Sequence, residues 1–209
     1  VVRVTEACAK WLNKIFKNPS VVVGHYCRFG GELFAETVAT VLAHYNIKTF
    51  LAKGFVSTPM ISLGTLNKNA SLGIIITASH NPPSYNGYKL KGNYGGPLLP
   101  EKIQEIEDII PDSASIDTDK LHLTDFEEKK LIEYIDLETM YCNHIERNFD
   151  LNIIRKSRLT FAYDAMFGAG QNVIKRLLPE TKLLHCEYNP SFLGQAPEPI
   201  HKNLHEFSE

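Results

Sequence analysis

One short apolar run limits the fold of this chain more than any other stretch: Ile74-Ile75-Ile76-Thr77, preceded by Gly73 and stopped by Ala78-Ser79-His80-Asn81-Pro82-Pro83. β-branched residues in an unbroken apolar run fit a strand buried on both faces, as in a sheet covered by helices on each side. Pro82 and Pro83 lack a backbone N–H, and Pro82 pushes Asn81 toward an extended conformation. The strand is therefore expected to end in a stiff loop carrying a hydroxyl, an imidazole and an amide in succession. In open α/β sheets ligands bind beyond the carboxyl ends of the strands, which makes Ser79, His80 and Asn81 candidate site residues. Asn86-Gly87 signals a turn, since both residues tolerate positive φ. Tyr88-Lys89-Leu90-Lys91 then alternates as a short strand does. A hairpin of this kind folds Lys89 back toward Ser79, so that nucleophile, imidazole and cation form one constellation.

Upstream, the pattern alternates between helix and strand. A helix is expected over Thr5 to Lys17, capped by Thr5, with Ala9, Leu12, Ile15 and Phe16 as its apolar stripe. Val21-Val22-Val23 reads as a strand that opens into Gly24-His25-Tyr26-Cys27-Arg28-Phe29-Gly30-Gly31 and a helix from about Glu32 to Tyr45. These glycines match neither the dinucleotide fingerprint nor the Walker pattern, so they are read as serving turn geometry. A strand over Ile47 to Ala52 follows, then a helix with Thr58 as cap and Pro59 at its first position. This β-α-β-α-β order points to a sheet with helices on both faces.

Downstream, Pro100 opens a helix bearing Ile103, Ile106, Ile109 and Ile110, and residues 112–119 are polar and read as a linker. The stretch from Phe126 to Tyr134 is charged and is read as a solvated face. An amphipathic helix is expected over Asp136 to Phe149, with His144 a packed or surface histidine. A second β-loop-α-β unit begins near Arg158: a strand Leu159 to Tyr163, a loop through Gly168-Ala169-Gly170, a helix from Gln171 to Leu178 and a strand around Lys182 to Glu187. Tight packing explains the glycine loop better than anion binding at the helix start.

The bulk properties exclude several classes. With 209 residues the chain is long enough for one or two cored domains. A net charge of −2 gives no electrostatic case for nucleic acid or an anionic membrane, and no apolar run reaches the ~20 residues that span a bilayer. No secretory signal is read at the start. Cys8, Cys27, Cys142 and Cys186 form no Cys-x-x-Cys pair, so reduced thiols and a cytoplasmic location are expected.

Thr77-Ala78-Ser79-His80-Asn81-Pro82-Pro83 with Asn86-Gly87-Tyr88-Lys89 resembles the phosphoserine loop of the alpha-D-phosphohexomutases, the phosphoglucomutases and phosphomannomutases. Weaker similarity extends from about Val21 to Phe207. The resemblance implies a three-layer α-β-α domain with a mixed sheet over 1–135, then a linking helix and the start of a similar domain over 136–209. It implies that Ser79 carries a phosphoryl group, that His80 and Lys89 are catalytic, and that Lys89 lies by the reacting oxygens. Asn81 would hold the loop shape through its side chain. A phosphate oxygen on Ser79 would help to bind Mg²⁺, the other ligands lying outside this chain. The implied reaction interconverts glucose or mannose 1- and 6-phosphates through the 1,6-bisphosphate. The family usually has Gly-x-Asp-x-Arg after its first strand. Here Tyr26 stands in the place of the aspartate while Arg28 matches, which leaves Arg28 a supporting role without an ionic partner.

No Asp-x-Asp-x-Asp-Arg metal run occurs, nor a counterpart of the family's sugar-recognition or phosphate-binding loops. The chain is thus expected to be an inactive N-terminal fragment of a longer enzyme. Without the resemblance, Ser79 would be a turn residue and Lys89 a solvated strand lysine. A serine hydrolase is excluded because no Gly-x-Ser-x-Gly elbow surrounds Ser79. A noncatalytic sugar-phosphate or anion-binding domain is the alternative.

Overall fold

The computed structural model describes residues 1–208. The first part of the chain builds a five-stranded mixed sheet from β1 (Ser20–His25), β2 (Lys48–Phe55), β3 (Leu72–Ile76), β4 (Tyr88–Gly92) and β5 (Ile132–Ile135), ordered β4-β3-β1-β2-β5. β1 is parallel to β2 and β3, β2 is parallel to β5, and β4 runs antiparallel to β3. All five residues of β3 are buried, as its unalternating pattern requires, and each of its isoleucines stabilises the fold by about 1.5–3 kcal/mol.

Alternate residues of the strands feed two cores. Val21, Val23, Leu51, Leu72, Ile74 and Ile76 pack under α1 (Val2–Ile15), α2 (Gly31–His44), α4 (Pro100–Glu107) and α5 (Leu123–Glu128). Val22, Ala52 and Ile75 pack against α3 (Thr58–Asn67) and α6 (Leu137–Asn148) on the other face. The result is the three-layer α-β-α arrangement. After α7 (Leu151–Arg155), a second sheet holds two parallel strands, β6 (Ala162–Asp164) and β7 (Lys182–Leu184), joined through α8 (Gln171–Leu177). A last short helix, α9, covers His205–Ser208. Helix α6 packs against both α3 and α8 and so ties the two sheets together.

Several local expectations are corrected. Thr5 does not cap α1: the helix begins three residues earlier, and the buried Thr5 hydroxyl donates to Val1 O at 3.0 Å. Ser57, not Thr58, is the N-cap of α3, so Pro59 sits at its second position. Proline is tolerated there because the first helical N–H groups have no intrahelical acceptor. The charged stretch 126–134 is not a featureless face. It supplies most of the edge strand β5 and the end of α5; Ile132 and Ile135 are buried while Glu133 and Tyr134 stay exposed. Asn86 and Gly87 do not take positive φ. Gly87 is needed for closeness instead: a Cβ there would lie 2.8 Å from Thr77 O.

Candidate functional site

The site grows from the carboxyl end of β3. Ile76 pairs with Tyr88 and Ile75 with Lys89, and the Thr77 amide donates to Gly87 O at 3.0 Å. Residues 77–87 are thereby pinched into a closed loop at the rim of the sheet. Ser79 sits in it at φ 55°, the left-handed region, which costs a non-glycine residue about 1–2 kcal/mol. Its amide is held by Thr77 Oγ1 at 3.1 Å. Asn81 N donates to Ala78 O at 3.0 Å, Tyr85 N donates to Pro82 O at 3.1 Å, and Gly87 N donates to Asn86 Oδ1 at 3.1 Å. The loop is braced by its own backbone and by Thr77 and Asn86. The Asn81 side chain, expected to brace it, makes no protein hydrogen bond among the described residues, and Asn81 contributes through its backbone.

Ser79, His80, Asn81 and Lys89 are all exposed. The hairpin brings Lys89 to the loop end of the sheet, across from Ile75 and hence on the α3 side. Lys91 lies two residues further along the same face, with its stem over Gly73. Burial, and then the charge of Lys89, lower the pKa of the Lys91 ammonium.

Arg28 holds the loop from beneath. Its side chain is 1% exposed. Nη1 donates to Pro82 O at 2.9 Å and Tyr85 O at 3.0 Å, and Nη2 donates to Ser79 O at 2.8 Å and Asn81 O at 2.7 Å. The planar guanidinium fork suits this convergence of carbonyls, and a lysine could not reproduce it. Burial lowers the Arg28 pKa, yet a guanidinium stays protonated at any ordinary pH. No carboxylate pairs with it among the described residues. The carbonyl dipoles take that place, together with the Phe192 ring, whose centroid lies 5.2 Å from Cζ.

Tyr26, in the position where an aspartate was expected, turns away from Arg28's task. It joins Cys27, Phe167, Ala169 and Phe192 in a small apolar cluster between the two sheets. Burial pushes its hydroxyl up to about 12 while a backbone hydrogen bond from Ala169 opposes the shift. Gly168 leaves room for it, since a Cβ at 168 would lie 2.1 Å from Tyr26 Oη. The Gly168-Ala169-Gly170 loop is thus a packing device. Phe55, at the end of β2, stacks on Tyr188 at 5.6 Å and 11°. Sequence reasoning missed Phe192 and Tyr188 altogether. Their segment has little periodicity, and the contacts that give them meaning lie far away in the chain.

A three-layer α/β sheet followed by a second α/β unit is matched by family models. Residues 1–117 match the model described as phosphoglucomutase/phosphomannomutase, alpha/beta/alpha domain I, and residues 139–209 match alpha/beta/alpha domain II. The chain belongs to the phosphoglucomutase/phosphomannomutase family. Among curated relatives of this family, the phosphoglucomutase/phosphomannomutase of Thermococcus kodakarensis is 30% identical over 197 residues, which cover 92% of this chain and 42% of the relative. The phosphoglucomutase of Staphylococcus saprophyticus is 33% identical over 139 residues, covering 66% of this chain and 25% of its own. The crystal structure of a Thermus thermophilus protein described as a putative phosphomannomutase superposes with a TM-score of 0.86 at 31% identity, covering 99% of this chain and 46% of that one. A Paramecium phosphoglucomutase, parafusin, shares the fold with a TM-score of 0.80 at 18% identity over 99% of this chain and 43% of its own. The chain therefore spans less than half the length of these family members. No helix of the described residues is long and apolar enough to cross a membrane.

Proposed function

We propose that this chain is the phosphoserine-bearing part of a phosphohexomutase that interconverts hexose 1- and 6-phosphates, of glucose or mannose, through a bisphosphate. One observation carries the reading: Ser79 presents an exposed side chain at a sheet rim while its backbone is fixed by Arg28 and Thr77. A serine hydroxyl is a weak nucleophile unless activated, but a serine that stores a phosphoryl group needs mainly placement and charge neutralisation.

In the proposed cycle the bond between Ser79 Oγ and phosphorus breaks as the phosphoryl group passes to a sugar hydroxyl. The sugar oxygen gives up its proton as it bonds to phosphorus, and the departing Ser79 Oγ takes up a proton to become a free hydroxyl. The bisphosphate then turns over and returns its other phosphoryl group to Ser79, leaving the isomeric monophosphate. Lys89 supplies positive charge beside the moving group or holds the proton at the sugar oxygen. His80 donates a hydrogen bond to the phosphate, and Asn81 with Arg28 supports the loop.

Mg²⁺ is the proposed cofactor, and when bound it neutralises non-bridging phosphate oxygens. Among the described residues no group of three or more His, Cys, Asp or Glu side chains is arranged to hold a metal. The donors present do not by themselves fit the ion. Ser79 would contribute only through a phosphate oxygen.

The test is phosphopeptide mapping of protein from its native host, before and after treatment with glucose or mannose 1,6-bisphosphate and Mg²⁺. Phosphate on Ser79 that exchanges with labelled bisphosphate supports the mutase. Saturable binding of sugar phosphates with Ser79 never phosphorylated supports a noncatalytic binder, a reading favoured only by Tyr26 standing where the family has aspartate.

A further inference from the structure

The serine loop is held by Arg28, and among the described residues every hydrogen bond of its guanidinium goes to a carbonyl of that loop. Its Nε is buried without a hydrogen-bond partner, and no carboxylate neutralises it among the described residues. The Phe192 ring lies over the guanidinium at 5.2 Å and is itself 2% exposed. Phe192 belongs to the segment after β7, so the contact crosses from the second unit to the rim of the first sheet. The segment is anchored at a second point as well. Tyr188 stacks on Phe55, and Tyr26 packs into the cluster that Phe192 shares with Phe167 and Ala169. Phe192 also adopts φ 49°, an unfavourable backbone state for a bulky residue that persists only where its surroundings over-determine it.

We propose that Phe192 is a positioning residue for Ser79, acting through Arg28. The ring's negative face stabilises a desolvated cation. The cation in turn draws the carbonyls of Ser79, Asn81, Pro82 and Tyr85 to one point. Tyr26 leaves this position without an acidic partner, so the aromatic ring does what a carboxylate would otherwise do. The second unit thereby sets the geometry of the serine loop: displacing the 188–192 segment uncovers Arg28 and loosens the loop. The inference rests on the mutase reading only for what Ser79 does. The link from Phe192 to the loop is independent of it.

The experiment compares hydrogen–deuterium exchange of the wild-type chain with Phe192→Leu, Phe192→Tyr and Arg28→Lys. Leucine keeps apolar bulk without the π face; tyrosine keeps the face. Exchange at the Ser79, Asn81 and Tyr85 amides is expected to rise about thirtyfold in Phe192→Leu, the scale of a desolvated cation–π contact. Phe192→Tyr should restore it, and Arg28→Lys should match or exceed the leucine variant. Amides of β1 and β3 should not change. Unaltered loop exchange in Phe192→Leu overturns the proposal. So does a rise spread over the whole chain, or a tyrosine variant that behaves as leucine does. If the loop responds as expected while Ser79 never takes up phosphate, the positioning link stands and the mutase reading falls.

Discussion

Arg28 Nη2 donates to the carbonyl oxygen of Ser79 at 2.8 Å, so the residue that presents its hydroxyl to solvent is gripped by its backbone from inside the protein. The same guanidinium reaches three more carbonyls of the loop. Hydrogen bonds to charged groups are worth about 1.5–3 kcal/mol each, though not additively at one site. Arg28→Met is therefore expected to destabilise the chain by roughly 2–4 kcal/mol. Arg28→Lys should recover little of this, because an ammonium cannot span the carbonyls that the fork spans. Urea unfolding of both variants checks it; a lysine variant as stable as wild type would show that the fork is unimportant.

Ser79 spends stability on its position. At φ 55° a glycine would carry no Cβ penalty. Ser79→Gly is expected to raise stability by about 0.5–1 kcal/mol, the relief of strain less the added freedom of the unfolded chain. On the proposed mutase reading it should also remove the phosphoryl group carried at position 79. Ser79→Ala should, on the same reading, lose that group without the gain. Thermal melts and intact-mass measurement of the variants separate these effects.

Lys89 stands exposed at the loop end of β4. On the proposed mutase reading, if it handles charge or a proton in the transfer, Lys89→Met should slow phosphoryl exchange between Ser79 and sugar bisphosphate by ~10²–10⁴. The fold should be untouched, since the side chain makes no hydrogen bond to the described residues. An unchanged exchange rate removes Lys89 from the chemistry.

Tyr26 and Gly168 are paired by space. A Cβ at 168 would lie 2.1 Å from Tyr26 Oη and 2.8 Å from Ala165 O. Overpacking of this kind costs about 1–3 kcal/mol, so Gly168→Ala should destabilise by that amount. Adding Tyr26→Phe removes the hydroxyl but not the backbone clash, so the double variant should recover only part. A double-mutant cycle by chemical denaturation measures the coupling; strict additivity would show that the two residues do not meet.

His25 is buried at the end of β1, its Nδ1 3.0 Å from Tyr26 O. Burial lowers its pKa, with the Tyr26 carbonyl and the Glu32 charge opposing. The folded state thus favours the neutral ring. The associated stability is fully present above the unfolded value near pH 6.5 and is lost as pH falls below it toward the lower folded value. Melting temperatures measured from about pH 7.5 to 5.5, a window spanning that unfolded value, should fall with pH in the wild-type chain and fall less in His25→Gln. A parallel decline in both would assign the acid sensitivity elsewhere.

The layered architecture, and the loop at the end of β3 that carries Ser79, were legible from residues alone. An apolar β-branched run at 74–76 has no stable place except a buried central strand, and Ser-His-Asn-Pro-Pro cannot continue it. These are local constraints of backbone and hydropathy, and they hold wherever the chain goes next. Edges were less legible. Ile132 and Ile135 are too few among charged neighbours to announce a strand, because an edge strand needs little apolar surface and tolerates charge. What holds the serine loop was legible only as a supporting role for Arg28, without the partners that give it that role. Arg28 meets its loop carbonyls only once the first sheet has formed, and Tyr26 meets Gly168, and Arg28 meets Phe192, only after both units have folded. Sequence specifies the groups that can donate, accept or stack. Which of them share a buried point, and so hold Ser79 in its strained state, is decided by packing at long range.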